Sequence, residues 1–176
     1  MKQIRNNVLL IDGYNIINAW QDLAKLASSN LEEARQAFNH LISEYAAYNR
    51  IETYIVYDAY KVKGSMNRKE KIKDLTIIFT KENQTADSYI EKFIHDYKYK
   101  RHAIIRVATN DFAEQNMILG KGAARLTARE LYLEVSQTKK EIKNETQKSR
   151  GSEYSLGNRL DKETYEKLEK IRRGQY

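Results

Sequence analysis

Residues Val8 to Asn15 read V-L-L-I-D-G-Y-N, four apolar residues that end on a carboxylate followed at once by glycine. A continuous apolar run this short reads as a strand buried on both faces, since a half-exposed strand alternates apolar with polar side chains. Strands of that kind belong to parallel sheets with helices on either side. Asp12 then stands at the carboxyl end of its strand, where open α/β sheets place their ligands. Later segments repeat the arrangement: Tyr54-Ile55-Val56-Tyr57-Asp58, Thr85-Ala86-Asp87 and Val107-Ala108-Thr109-Asn110-Asp111. Acids converging on one edge of a sheet describe a metal site.

Strand-like and helix-like patterns alternate along the rest of the chain, the signature of a doubly wound, mainly parallel α/β sheet flanked by helices. Strands are expected near 8–12, 53–58, 75–80, 103–109 and, briefly, 124–126. Asn30 with Glu33 three residues on makes a capping signal, and Leu31, Ala34, Phe38, Leu41, Ile42 and Tyr45 follow at helical spacing. Thr85 to Tyr97 carries Ile90, Phe93, Ile94 and Tyr97 on one side, and Thr127 with Glu130 forms a second capping box before Leu131, Leu133 and Val135. After about Ser136 the composition turns to Lys, Glu, Gln and Asn. We therefore expect a main α/β domain over residues 1–135 and a charged helical C-terminal extension over 136–176. That extension should hold a long surface helix, a mobile stretch and a last short helix near Asp161 to Arg172.

At 176 residues with 41% hydrophobic content, the chain can bury one substantial core. A net charge of +7 and a pI near 9.4 favour a polyanionic partner such as RNA, DNA or an acidic membrane surface, with nucleic acid foremost. The absence of cysteine excludes disulfides and thiolate metal sites. The apolar run from Val8 to Ile11 is too short for a signal-peptide core or a membrane span, so a cytoplasmic location and no membrane partner are expected. No extended apolar surface stripe demands a second copy, and a monomer is expected.

Each carboxylate has a plain structural explanation beside the chemical one. Asp12 suits the cap of the next helix, Asp87 suits the first turn of its own, and Glu91, one turn further, suits solvent or a supporting contact. Asp58 and Asp111 each follow an apolar strand. Four acids at the same sheet edge are better explained together. Clustered carboxylates repel one another and raise their own pKa values unless a cation sits among them. All-oxygen ligands suit a hard ion, Mg2+ or Mn2+, and two such ions about 3.5–4 Å apart activate water for phosphodiester cleavage. His40, His95 and His102 lack zinc-type spacing and read as surface or packing residues. Gly120-Lys121-Gly122 lacks the spacing of a phosphate-binding loop and reads as a helix end.

From Tyr60 to Lys73 the chain carries six cations against one acid, broken by Gly64 and Ser65. This segment leaves the strand that ends at Asp58, so it is expected as a loop beside the acids. There Lys61, Lys63, Arg68, Lys69 and Lys71 would hold phosphates and Tyr60 would stack on an unpaired base. The competing explanation is a solvated charged loop. The second basic stretch, from Lys139 onward, is mixed with acids and is explained mostly by solvation.

The motif L-I-D-G-Y-N-I-I, the block T-A-D-S-Y-I-E from Thr85 to Glu91, and A-T-N-D-F-A-E-Q with the later G-A-A-R-L-T-A-R-E-L resemble the YacP-type branch of NYN-domain nucleases, relatives of PIN domains. The resemblance spans about Val8 to Val135 in order and spacing. It implies a PIN-like (NYN) α/β fold and a magnesium- or manganese-dependent endoribonuclease, with Asp12, Asn15, Asp87 and Asp111 at the family's catalytic positions. It also implies association with translating ribosomes and cleavage of messenger RNA at the decoding site. On this reading Asp12, Asp87 and Asp111 bind metal, Asp58 contributes secondarily, and Asn15 orients a ligand or phosphate. PIN relatives commonly supply a further acid from an early helix, with no counterpart identified here, and Asn110 stands where a small serine is often seen. Two other functions remain open. A catalytically silent RNA- or ribosome-binding module would bind without metal-dependent cleavage. A phosphatase using Asp12 as nucleophile lacks the second acid two residues on, where Tyr14 stands.

Overall fold

The structure, a computed structural model, describes residues 7–58, 68–97, 103–111, 120 and 122–159, with side chains described through residue 148. In chain order the elements are β1 (Asn7–Asp12), α1 (Gly13–Ala19), α2 (Gln21–Ser29), α3 (Leu31–Asn49), β2 (Glu52–Tyr57), β3 (Lys69–Ile72), β4 (Leu75–Phe79), α4 (Ala86–Asp96), β5 (Ile104–Ala108), β6 (Ala124–Leu126) and α5 (Ala128–Arg159). They build one six-stranded sheet in the order β3-β4-β2-β1-β5-β6, parallel throughout except for β3. This is the mainly parallel α/β sheet expected from the strand pattern.

Alternate residues along each strand serve opposite faces, as the pleat requires. Leu9, Ile11, Ile55, Tyr57, Ile77 and Phe79 join Ile16, Trp20, Phe38, Ile42 and Leu131 in one apolar cluster. Leu10, Val56, Ile105 and Val107 meet Ile90 and Ile94 of α4 in another. Burial of both faces explains why β1 shows no alternation in its sequence. Both capping signals form: the Asn30 side chain accepts from the Glu33 amide at 3.1 Å, and the Thr127 and Glu130 side chains accept from each other's amides at 3.2 and 2.7 Å. α5 is fixed at its start by the buried indole N–H of Trp20, which donates to the Ala128 carbonyl at 2.9 Å. Further along, Glu134 accepts from the Tyr45 hydroxyl at 2.5 Å and pairs with Arg106. Burial, and then Glu134, push that hydroxyl's pKa up to about 12.

Two expectations need correction, and one element was not anticipated. Residues 69–72 form an edge strand rather than part of a loop, closing a hairpin through Lys73, which adopts a left-handed backbone at φ 51°. The period was hidden because an exposed edge strand needs no apolar face, and lysines suit such an edge. Residues 21–29 form a helix of their own. The helix after Thr127 runs unbroken to Arg159, further than the composition suggested; the short helix expected over 161–172 lies outside the described residues. Two compact units divide the chain, Met1–Thr138 and Lys139–Tyr176. Among the described residues, no helix is long and apolar enough to cross a membrane.

Candidate active site

The sheet order places β1 between β2 and β5. From β1 the chain passes to β2, then to the edge strand β3 and back to β4, before it crosses to β5 on β1's other side, so the carboxyl ends of β1 and β5 flank a topological switch point. Asp12 ends β1 there and is 8% exposed. Its side chain caps α1, with Oδ1 accepting from the Asn15 amide at 3.3 Å. The structural explanation of Asp12 is thus correct and does not exclude the chemical one, since a carboxylate offers two oxygens.

Asn15 crosses the switch point. Its Oδ1 accepts from the backbone amide of Asn110 at 2.6 Å, joining α1 to the segment that leaves β5. Thr109, fully buried, adds a turn in which its Oγ1 accepts from the Asp111 amide at 3.1 Å. Asp111 itself is exposed. Asn15 acts through Oδ1 on the backbone before Asp111, a task that does not exclude the phosphate or ligand contact its sequence position suggested, since the side-chain NH2 is a second polar group.

On the other side of β1, Asp58 follows β2 and reaches α4. Its Oδ1 accepts from the Ala86 amide at 2.7 Å, while the Thr85 hydroxyl accepts from the Ser88 amide at 3.2 Å. Asp87 sits between these two capped amides. Burial, then the negative charges of Asp111 and Asp58, raise its pKa above the ordinary carboxylate value, against a lowering by its own backbone amide. Asp58 and Asp111, from two separate parts of the chain, therefore both lie within electrostatic reach of Asp87. Glu91 lies one turn along α4, half-buried.

Beneath Asp12 is a buried layer that sequence reasoning missed. Gly13 lies so close to Tyr57 that a Cβ there would stand 2.2 Å from the ring's Cε1. The Tyr57 ring also packs against Tyr14 at 4.8 Å and stacks on Phe79 at 5.5 Å. Its hydroxyl donates to Asn39 Oδ1 at 2.7 Å. Arg35, 6% exposed, places its guanidinium 5.9 Å from the Tyr57 ring and 5.4 Å from the Phe79 ring, donates to the Tyr14 hydroxyl at 3.1 Å, and pairs with Glu32. Burial raises the Tyr57 hydroxyl far above its ordinary pKa, with Tyr14 next in effect and Asp12 adding to it, so the phenol stays neutral. One signal for this layer was available: Arg35 falls on the α3 stripe that also holds Leu31, Ala34, Phe38 and Ile42.

The basic residues divide. Lys61, Lys63 and Tyr60 lie outside the described residues. Arg68 and Lys69 stand at the end of β3 nearest the acids, because β3 runs antiparallel to β4: the Arg68 carbonyl accepts from the Phe79 amide at 2.8 Å, and Lys69 pairs with Ile78. Lys71, paired with Thr76, is further from that end. Arg68 is exposed and holds Glu70 at 2.6 Å. His40 and His95 are exposed and next to acids, Glu44 and Asp96, and His102 lies outside the described residues. Gly120 is helical and Gly122 has φ +78°, as a helix end requires.

Among the described residues, no group of three or more His, Cys, Asp or Glu side chains is placed to hold a metal ion. The donors at this edge are carboxylates, and burial first, then the negative charges of Asp111 and Asp58, raises the pKa of Asp87. Such a set suits a hard divalent ion that keeps several waters and takes one or two carboxylates, and does not suit zinc.

A family model for the YacP-like NYN domain matches residues 9–173. The chain belongs to the YacP-like NYN-domain family. Its fold is of the nuclease type. The chain is 38% identical over 168 residues to "Uncharacterized protein YacP" of Bacillus subtilis (strain 168), covering 96% of this chain and 98% of that protein. It superposes on the crystal structure of Rae1 (YacP) from Bacillus subtilis with a TM-score of 0.74 at 38% identity, covering 95% of each chain. A second crystal structure, of a tryptophan-to-leucine mutant of Rae1 (YacP) from the same organism, gives a TM-score of 0.69 at 32% identity, covering 93% of this chain and 99% of that one. For a YacP-like NYN domain, the acids stand at the sheet edge where its α/β topology places a ligand crevice.

Proposed function

We propose that this protein is a divalent-metal-dependent endoribonuclease that cuts messenger RNA, at the decoding site of translating ribosomes in the cytoplasm, as a monomer. The observation that carries this reading is that Asp87, at the start of α4, feels the negative charge of Asp111, which follows β5, while Asp12 ends β1 at the same switch point, on a nuclease-type fold. Asp12, Asp87 and Asp111 are the acids that would hold Mg2+ or Mn2+, with waters filling the rest of the ion's shell. Such an ion would supply an activated water and offset charge on the phosphodiester, and hydrolysis of that bond would leave 5′-phosphate and 3′-hydroxyl ends. Asn15 and Thr109 set the backbone at Asp111, and the Tyr57 layer supports the turn that carries Asp12. Arg68 and Lys69, at the near end of β3, are placed to take phosphates of the same strand, consistent with the net charge of +7.

The test is cleavage of a defined messenger RNA, free and on translating ribosomes, with Mg2+ or Mn2+, with chelator, and with Asp87→Asn. Cutting that needs metal, Asp87 and ribosomes is the expected result. Cutting of free RNA at the same rate removes the ribosome from the reading. Ribosome binding with no cutting under any condition replaces the enzyme with a silent binding module.

A further inference from the structure

We propose that Asp58 is a positioning residue and not a metal ligand: it holds the backbone amide directly before Asp87, as Asn15 holds the amide directly before Asp111. The inference deepens the nuclease reading and rests on it for the role of the two acids. Asp58 leaves β2, and its Oδ1 lies 2.7 Å from the Ala86 amide nitrogen, 28 residues along the chain. That amide is the first of α4, a donor without an intrahelical partner. Across the switch point, Asn15 Oδ1 lies 2.6 Å from the Asn110 amide nitrogen, 95 residues along the chain. In both places a side-chain oxygen from one element grips the peptide that precedes an acid on another. Each grip fixes where the next carboxylate stands.

The pair provides its own control. Asn15 makes its grip with a neutral amide oxygen, so the task needs an acceptor and no charge. A metal ligand at Asp58 would need the charge, because a hard divalent ion prefers a carboxylate to an amide. Asp58→Asn and Asp58→Ala therefore separate the two roles.

Three measurements on the full chain make the test: hydrogen exchange at the Ala86 amide, Mn2+ affinity by titration, and RNA cleavage. In Asp58→Ala the Ala86 amide should exchange about 10–100-fold faster, the range set by losing a hydrogen bond to a charged group. Mn2+ affinity and cleavage should fall about tenfold with it. In Asp58→Asn all three should stay within about threefold of wild type, since a neutral acceptor replaces a charged one. Loss of Mn2+ binding in Asp58→Asn with Ala86 still protected would overturn the proposal and make Asp58 a ligand. Unchanged Ala86 exchange in Asp58→Ala would overturn it as well. A wild-type protein that neither binds Mn2+ nor cuts RNA refutes the nuclease reading alone, and the exchange comparison still decides whether Asp58 grips α4.

Discussion

Substituting Gly13 by Ala is the sharpest probe of how the site is supported. A Cβ at this position would lie 2.2, 2.6 and 2.8 Å from Cε1, Cδ1 and Cζ of Tyr57, all well inside van der Waals contact. The ring has little room to retreat, because Tyr14, Phe79, the Arg35 guanidinium and the hydrogen bond to Asn39 surround it. Gly13 opens α1, so alanine would also gain helix propensity, up to about 1 kcal/mol in a helix interior and less in a first turn. Overpacking a buried ring costs about 1–3 kcal/mol and wins. For a chain of this size that lowers Tm by about 2–12 °C. Urea melts read by circular dichroism give the free energy, and a cycle with Tyr57→Leu gives the coupling. The double variant should recover at least about 1 kcal/mol relative to the sum of the two single changes. A Gly13→Ala protein within about 0.5 kcal/mol of wild type, or a cycle with no coupling, refutes the reasoning that glycine is held there by Tyr57.

Asp12→Asn should lower RNA cleavage at least about 100-fold while leaving Tm unchanged or higher, since Asn still caps α1 but no longer binds a cation as a carboxylate does; an active variant refutes the role of Asp12. For Asp87 the sign follows from linkage: its folded pKa is raised, so unfolding releases a proton as pH rises from the unfolded carboxylate value through the folded one. The metal-free protein should lose stability across that window, and Asp87→Asn should flatten that part of the curve in urea melts in chelator from about pH 4 to about pH 8. A steeper curve for the variant would refute the assigned crowding. Trp20→Phe leaves the Ala128 carbonyl without its buried indole donor and should cost about 1–3 kcal/mol, followed by circular dichroism because Trp20 is the one tryptophan. A loss below about 0.5 kcal/mol would show that this hydrogen bond does not fix the start of α5.

What the sequence disclosed was whatever repeats at a fixed short interval. β1, β2, β4 and β5 show as apolar runs, and Asn30 with Glu33 and Thr127 with Glu130 show as caps three residues apart. β3 stayed hidden because K-E-K-I at an exposed edge has no apolar face to display. The acids were visible one by one, each at its strand or helix end. Their supports were not, since Asp58 to Ala86 and Asn15 to Asn110 are contacts at separations that no local period encodes. Arg35 was the middle case: on the buried stripe of α3 by spacing, and unexplained until Tyr14, Tyr57 and Phe79 close around it.

The four residues D-G-Y-N at the junction of β1 and α1 show how this sheet edge is built for the proposed site. Asp12 caps α1 through the Asn15 amide. Gly13 yields its side-chain volume to Tyr57 of β2. Tyr14 packs on that same ring and takes a hydrogen bond from Arg35 of α3. Asn15 crosses to the segment that leaves β5. Each position thus answers to a different element, and β1 can reach them all because it lies between β2 and β5. A carboxylate carried on a turn held from so many directions would give up little conformational entropy on taking a ligand, which suits the metal-binding role proposed for Asp12. Substituting any of the three residues after Asp12 should therefore disturb the position of its carboxylate before it disturbs the fold.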